Sequence, residues 1–371
     1  MRLEGISAYA PGHVVSNARV AARLRLERMR TRRSGRLSAE EAKLFETSDR
    51  WVRRFIGFSQ RRFCPEGEGT IDLATRAAQQ LLARLDASPD GIDAIVFGSV
   101  TPSHLCSPPD AAMLQDRLGI PLWLGATPRE MKGADVSLAC SSWVTSLMLC
   151  YSLIRSDMAQ RILLIGADRM SATINWRDRG FATVLGDAGT AVLCSAVPEE
   201  EDWFSPARFW SWLDGSCADM IRTPAGGSAR PNPTARELAT GQNKLAMDGA
   251  AVRSTLVPFV GGPAVEAALS KAGWSLADLD LVSLHEANRT LNASIVDMWR
   301  KRGFAGRVLD AGGRFGNTTA ASIPLALALN PGHLSVGRRF GLFAFGGGLS
   351  ASFALGTVRH PLPAFVELGQ A

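Results

Sequence analysis

SLACSSWVTSLML, residues 137–149, runs through a cysteine into a segment with helical spacing of apolar residues. RFGNTTAASIPLALAL, residues 314–329, makes the same passage with an asparagine near its head. Each stretch leaves a short strand and enters a helix whose first turn is built of small residues. Each sets one reactive or polar side chain, Cys140 or Asn317, where the helix begins. Small residues behind that position let another helix pack closely. Two such stretches in one chain read as two βαβ halves, related by an approximate two-fold that would bring the helix starts together at the centre.

The rest of the chain alternates in the same way, which defines an α/β protein. Strands are expected at Leu3–Tyr9, Ala94–Ser99, Arg161–Ala167, Gly189–Ser195, Leu281–His285 and Phe340–Phe345. Apolar residues recur at helical spacing in Ala74–Leu85, Ser142–Ile154, Asn288–Arg302 and Thr319–Leu329. Between them, 199–243 is rich in Pro, Gly and Trp without clear periodicity, apart from an edge strand expected around Ala207–Leu213. The expected division is a first half over 1–200, a connection over 201–243 and a second half over 244–371.

With 371 residues, 46% apolar and 20% charged, the chain is globular and large enough for two cores. No apolar run approaches the ~18–20 residues of a membrane span. The start, MRLEGISAYAPGHVVS, reads as a strand and a Pro-Gly turn and not as an export signal, so a cytoplasmic protein is expected. Six scattered cysteines without a CxxC pair argue against a disulfide framework, and five separated histidines against a metal site. The net charge of +6 is concentrated. Residues 19–36 carry eight Arg and one Glu, a local +7, which leaves −1 for the remainder. That pattern is one basic insertion, about 19–40, on an otherwise neutral protein, and not a nucleic-acid-binding surface. It reads either as a solvated face or as a docking patch for an acidic partner such as acyl carrier protein or a CoA phosphate.

Four features carry chemistry. Cys140 at a helix start meets unpaired N–H groups and the positive end of the helix dipole, which predicts a lowered thiol pKa. Cys150 and Cys194 lie inside apolar runs and belong to the core. His285 ends LVSLH, where a strand leaves the core and where α/β folds place active sites; a satisfied core histidine is the competing reading. Asn317 is either a functional carboxamide or an N-cap. Phe345-Gly-Gly-Gly-Leu349 can bring backbone N–H groups close to a substrate oxygen, or simply turn tightly.

In this order the features resemble the 3-oxoacyl-ACP synthase III branch of the thiolase superfamily. TSDRWVRRFIGFSQRR (47–62), DVSLACSSW (135–143), RDRG (177–180), LGDAGTAVL (185–193), MDG (247–249), HEANR (285–289), GRFGNTTAASIPLAL (313–327) and FGGGLS (345–350) all have counterparts there, so the resemblance covers nearly the whole chain. It implies duplicated βαβαβαββ halves in a five-layered α-β-α-β-α body and a homodimer without cofactor or metal. It further implies Cys140 as acyl-accepting nucleophile, with His285 and Asn317 donating to the enolate formed when a malonyl thioester loses CO2. The N–H groups of Cys140 and Gly347 would form the oxyanion hole. Trp51, Arg179 and Asn288 would hold CoA or phosphopantetheine, and Ser107 would face the partner subunit's acyl pocket.

A thiolate suits thioester exchange because it is both nucleophile and leaving group. The expected reaction is therefore acylation of Cys140 from acyl-CoA or acyl-ACP, then decarboxylative Claisen condensation with a malonyl- or β-ketoacyl-type thioester. Acyl transfer to an alcohol or amine, and a non-catalytic partner subunit, are the alternatives. A papain-like protease shares the Cys…His…Asn order, but no glutamine-bearing oxyanion motif precedes Cys140. Departures from the family pattern point to a specialised pathway. Phe55 stands where the family has Arg, Thr290 where it has the last Arg of its histidine motif, Glu286 where it has Gln, and Ser107 where a bulky aromatic is usual.

Overall fold

The computed structural model describes residues 1–35 and 37–370. Arg36, part of the basic insertion, lies outside the described residues. Two sheets form the body. The first runs, edge to edge, Ala364–Leu368, Arg2–Ala10, Asp187–Ser195, Arg161–Arg169, Ala94–Gly98 and Lys132–Val136. The second runs Phe204–Leu213, Ser350–Val358, Arg339–Gly346, Leu281–Leu284 and Arg307–Leu309.

Set aside the strand Ala364–Leu368 and the sheets repeat one plan. From Arg2–Ala10 onward the pairings are antiparallel, antiparallel, parallel, parallel. From Phe204–Leu213 onward they are the same. The duplication expected from two short sequence stretches thus extends to whole sheets. The strand Phe204–Leu213 starts the second sheet from inside the stretch read as a connection, and Ala364–Leu368 returns to the first. On this topology we propose to keep the boundary of the halves near residue 200.

Two helices lie between the sheets, Ser142–Arg155 and Ser322–Leu329, each touching strands of both. All seven residues from Ser322 to Ala328 are buried, as an all-round apolar helix requires. Burying Leu325 or Leu327 there contributes about 1.5–3 kcal/mol each. Pro324 sits in the first turn, where its missing N–H has no intrahelical partner to lose. Thr70–Leu85 covers the outer face of the first sheet through Ala74, Ala77, Ala78 and Leu81. Gly249–Gly261 and Pro263–Ala272 cover the second. The result is the α-β-α-β-α layering of the thiolase fold.

The basic insertion is the helix Asn17–Ser34, capped by Ser16. Its first part buries Val20, Ala21 and Leu24, and it packs on the helix Asp49–Phe55 that carries Trp51. Arg28 pairs with Glu46 at 3.4 Å, and the Arg23 guanidinium lies 5.5 Å from the Trp176 ring centre.

Candidate active site

The nucleophile is held by a strained turn. Ala139 has φ +46°, a left-handed conformation costly for a residue with a Cβ, and Cys140 follows it. Ser141 N–H donates to Leu138 O (3.0 Å), and the Ser142 hydroxyl bonds Ala139 O (2.7 Å) while accepting from Leu138 N–H (2.8 Å). The second half contains the same turn. Thr319 has φ +45°, and the Ser322 hydroxyl donates to Thr319 O (2.8 Å). By this register Cys140 corresponds to Ala320. Asn317 stands three residues earlier, which corrects the reading that paired it with Cys140 at the helix start.

The acceptor slot of the serine differs between the halves. For Ser322 it faces His285 Nδ1 at 2.7 Å. His285 is fully buried, hangs from Phe343 O by its own N–H (2.9 Å) and packs edge-on against Phe345. Burial lowers its pKa to about 3 against the Thr319 backbone, so the imidazole is neutral. Nε2 has no partner among the described residues. With the Ser322 proton on Thr319 O, Nδ1 carries the imidazole proton and Nε2 is an acceptor. With the imidazole proton on Nε2 instead, Nε2 is a donor and the Ser322 hydroxyl turns to donate to Nδ1, while Thr319 O keeps the Ser322 N–H.

Asn317 is fixed from both sides: its N–H donates to Val184 O (2.8 Å), and its C=O accepts from Gly186 N–H (2.9 Å). Its side-chain oxygen accepts from Thr319 N–H (2.8 Å), and Nδ2 lies 3.4 Å from Ala287 O. The oxygen thus supports the turn, as the capping reading expects, while Asn317 also lines a cavity.

Cys140, His285 and Asn317 line one cavity of about 540 Å³, together with Gly346, Gly347 and Gly348. A Cβ on Gly346 would fall 2.8 Å from Cys140 N, so glycine is what lets that loop close on the nucleophile's backbone. The cavity walls include Val100, Met170, Phe181, Leu245, Val252 and Leu256. This apolar surrounding reverses the expected thiol pKa. Burial, then the charge of Asp168, push Cys140 up to about 12; its own N–H pulls only weakly the other way. The helix start is real, but desolvation outweighs it.

Asp168, which sequence reasoning missed, ties the halves together. It is fully buried at the end of Arg161–Arg169 and accepts from Ser99 Oγ (2.9 Å), Val100 N (2.8 Å), Thr101 N (3.0 Å), Thr101 Oγ1 (2.8 Å), Ala320 N (3.0 Å) and Thr319 Oγ1. Burial raises its pKa against these donors. A carboxylate ending the apolar run RILLIGA was the available signal. Glu286, next to His285, is buried and accepts from Ala311 N–H (3.1 Å). Burial, then Asp310, push its carboxyl up to about 7.

The remaining expected residues divide. Trp51 and Asn288 line the cavity; Asn288 also caps the helix Arg289–Arg300. Arg179 lies over Trp51 with its guanidinium 4.5 Å from the ring centre, so a base inserted between them has to part them. Ser107 is exposed and not among the residues lining the cavity of its own chain. Where the family has two arginines, Thr290 Oγ1 instead bonds Phe55 O. No helix among the described residues is long and apolar enough to cross a membrane.

Two family models match the chain. One, described as 3-oxoacyl-[acyl-carrier-protein (ACP)] synthase III, covers residues 134–209; its C-terminal counterpart covers 269–357. A beta-ketoacyl-[acyl-carrier-protein] synthase III of Streptomyces coelicolor, numbered 3, is 37% identical over 319 residues, 84% of this chain and 90% of the relative. The crystal structure of 3-oxoacyl-(acyl carrier protein) synthase III from Pseudomonas aeruginosa aligns with a TM-score of 0.77 at 29% identity, covering 98% of this chain and 99% of that one. The priming β-ketosynthase of the R1128 polyketide pathway shares the fold, with a TM-score of 0.76 at 23% identity over 97% of this chain and 96% of that one. With the duplicated sheets, these matches place the chain among the thiolase-fold acyltransferases that form carbon–carbon bonds. Within that class it belongs to the 3-oxoacyl-ACP synthase III family.

Proposed function

We propose that this chain joins an acyl group to a malonyl- or β-ketoacyl-type thioester by a two-stage exchange on Cys140. The observation that carries the reading is the single apolar cavity onto which Cys140, His285 and Asn317 all open. In the first stage the sulfur attacks the thioester carbonyl. Its proton passes to His285 Nε2 and from there to the departing thiolate, so a neutral thiol leaves and the histidine is regenerated. The high thiol pKa makes this proton transfer necessary, since little free thiolate exists at neutral pH. The N–H groups of Cys140 and Gly347 stabilise the tetrahedral oxyanion.

In the second stage a malonyl acceptor loses CO2, whereas a β-ketoacyl-type acceptor, which has no carboxylate to lose, forms its enolate by giving an α-proton to His285 Nε2. The enolate oxygen is held by Asn317 Nδ2–H and by His285 Nε2–H, which in the malonyl case is set by exchange of the imidazole proton with solvent, and the enolate carbon attacks the acyl-cysteine and expels its thiolate. The thiolate takes up a proton to restart the cycle, from solvent after decarboxylation, which consumes one, or from His285 after α-proton transfer. Neither stage calls for a cofactor.

CoA or acyl carrier protein supplies the thioester, with Trp51, Arg179 and Asn288 at the entrance. The Asn17–Ser34 helix beside Trp51 offers its arginines to an acidic carrier. A homodimer is supported by the exposed Leu105 and Trp123 and by the edge strand Lys132–Val136; Ser107 would then face the partner's acyl pocket. The departures at Phe55, Thr290 and Glu286 favour a specialised biosynthetic pathway in the cytoplasm. Intact-protein mass spectrometry after incubation with acyl-CoA and acyl-ACP donors tests the reading. An acyl adduct on Cys140, discharged by malonyl thioester with release of CO2, is expected. An adduct discharged by an alcohol or amine without CO2 shows simple acyl transfer instead.

A further inference from the structure

Arg253 is the one permanently charged residue lining the cavity among the described residues. It belongs to the helix Gly249–Gly261, of which Gly249, Val252, Arg253 and Leu256 line the cavity at the i, i+3, i+4, i+7 spacing of one helix face. Val252 and Leu256 are buried, whereas Arg253 is exposed. Its guanidinium therefore stands at the rim, with solvent on one side and the apolar space on the other.

It is also uncommitted. Arg253 Nη2 donates to Ser294 Oγ (3.1 Å), whose own proton goes to Thr290 O (3.0 Å), and it has no carboxylate partner among the described residues. Nearby arginines differ: Arg289 is paired with Asp310 at 3.0 Å, and Arg179 stacks on Trp51 and donates to Glu46 O. Ser294 fixes one edge of the Arg253 fork and leaves the other donors free, the geometry that suits a phosphate or carboxylate.

We infer that Arg253 anchors the phosphate of the substrate's phosphopantetheine arm. This rests on the reading that a thioester reaches Cys140 through this cavity. Such an arm is uncharged from the thioester to its far end, where the phosphate sits. With its carbonyl on Cys140 and its uncharged length along Val252 and Leu256, its anion emerges at the rim. The carboxylate of a malonyl acceptor cannot be the ligand, because it is two carbons from the thioester carbonyl and must lie at the floor, beside His285 and Asn317.

Calorimetric titration of 4′-phosphopantetheine, CoA and phosphate-free pantetheine into wild type, Arg253→Ala and Arg253→Lys tests this without any catalytic readout. In Arg253→Ala, affinity for both phosphate-bearing ligands should fall roughly tenfold while pantetheine is unaffected; Arg253→Lys should recover part of the loss. An equal loss for all three ligands, no loss, or a loss confined to CoA overturns the assignment. Failure of wild type to acquire an acyl group on Cys140 would instead count against the function proposed above, and the two results are read separately.

Discussion

The turns Leu138–Ser142 and Thr318–Ser322 share a backbone and differ in chemistry. Both put a non-glycine residue at φ near +45° and both end on a buried serine. The first carries Cys140 and closes its serine on a backbone N–H; the second carries Ala320 and gives the serine to His285. The same divergence recurs where the corresponding strands Ala94–Gly98 and Leu281–Leu284 end, at Ser99 and Val100 in one half and His285 and Glu286 in the other. On the mechanism proposed above, one half supplies the sulfur and the other manages protons and charge, two tasks divided over one duplicated frame.

The hardest test of that division removes the nucleophile. Cys140→Ala should abolish acylation and condensation, by about 10⁴-fold or more. Adding Ala320→Cys should not restore them, because Ala320 is buried, bonds Asp168 through its N–H and is not among the residues lining the cavity; acylation of the double variant, read by mass spectrometry, would break the asymmetry. Asp168→Asn turns an amide toward donors that need an acceptor. It should cost about 1–3 kcal/mol of stability for each donor left unpaired, read by urea denaturation, and loss of its charge should move the thiol's alkylation profile to lower pH.

His285→Ala should reduce condensation by about 10²–10³-fold and, at neutral pH, acylation by about 10²–10⁴-fold. Without the histidine, acylation must wait for free thiolate, so its rate should climb about tenfold per unit between pH 7 and 10, below the thiol pKa of about 12. A flat profile would sink the proton-acceptor role.

Glu286→Gln has the smallest effect. Because the folded carboxyl is raised to about 7, the native state holds a proton that the unfolded chain has lost above pH ~4.5. Stability should therefore fall as pH rises from about 4.5 to 7 and then level off. Glutamine should remove that slope, gaining up to about 3 kcal/mol at pH 8 in thermal unfolding.

Periodicity and punctuation made much of this legible. The six expected strands form within a few residues of their boundaries, because each is an apolar run ending at a polar or small residue. Strands such as Lys132–Val136 (KGADV) and Ser350–Val358 (SASFALGTV) went unseen, since a short charged edge and a run of small residues lack the β-branched signal and are set by their neighbours. The triad was visible as residue types at helix and strand ends, but the state of its sulfur was not. Position in a helix can be read locally, whereas desolvation depends on walls from Val100 to Leu256. Likewise nothing in TTAAS announces that Thr319 adopts a left-handed backbone, which its contacts with Asp168, Asn317 and Ser322 hold in place.

The Asp168 contact works like a keystone. Cut between its halves, the chain would leave Asp168 without Thr319 and Ala320, and would leave the second turn without its contact to the first half. Separately made fragments should thus regain a working centre only on complementation, so the catalytic machinery matures in one cooperative act of docking.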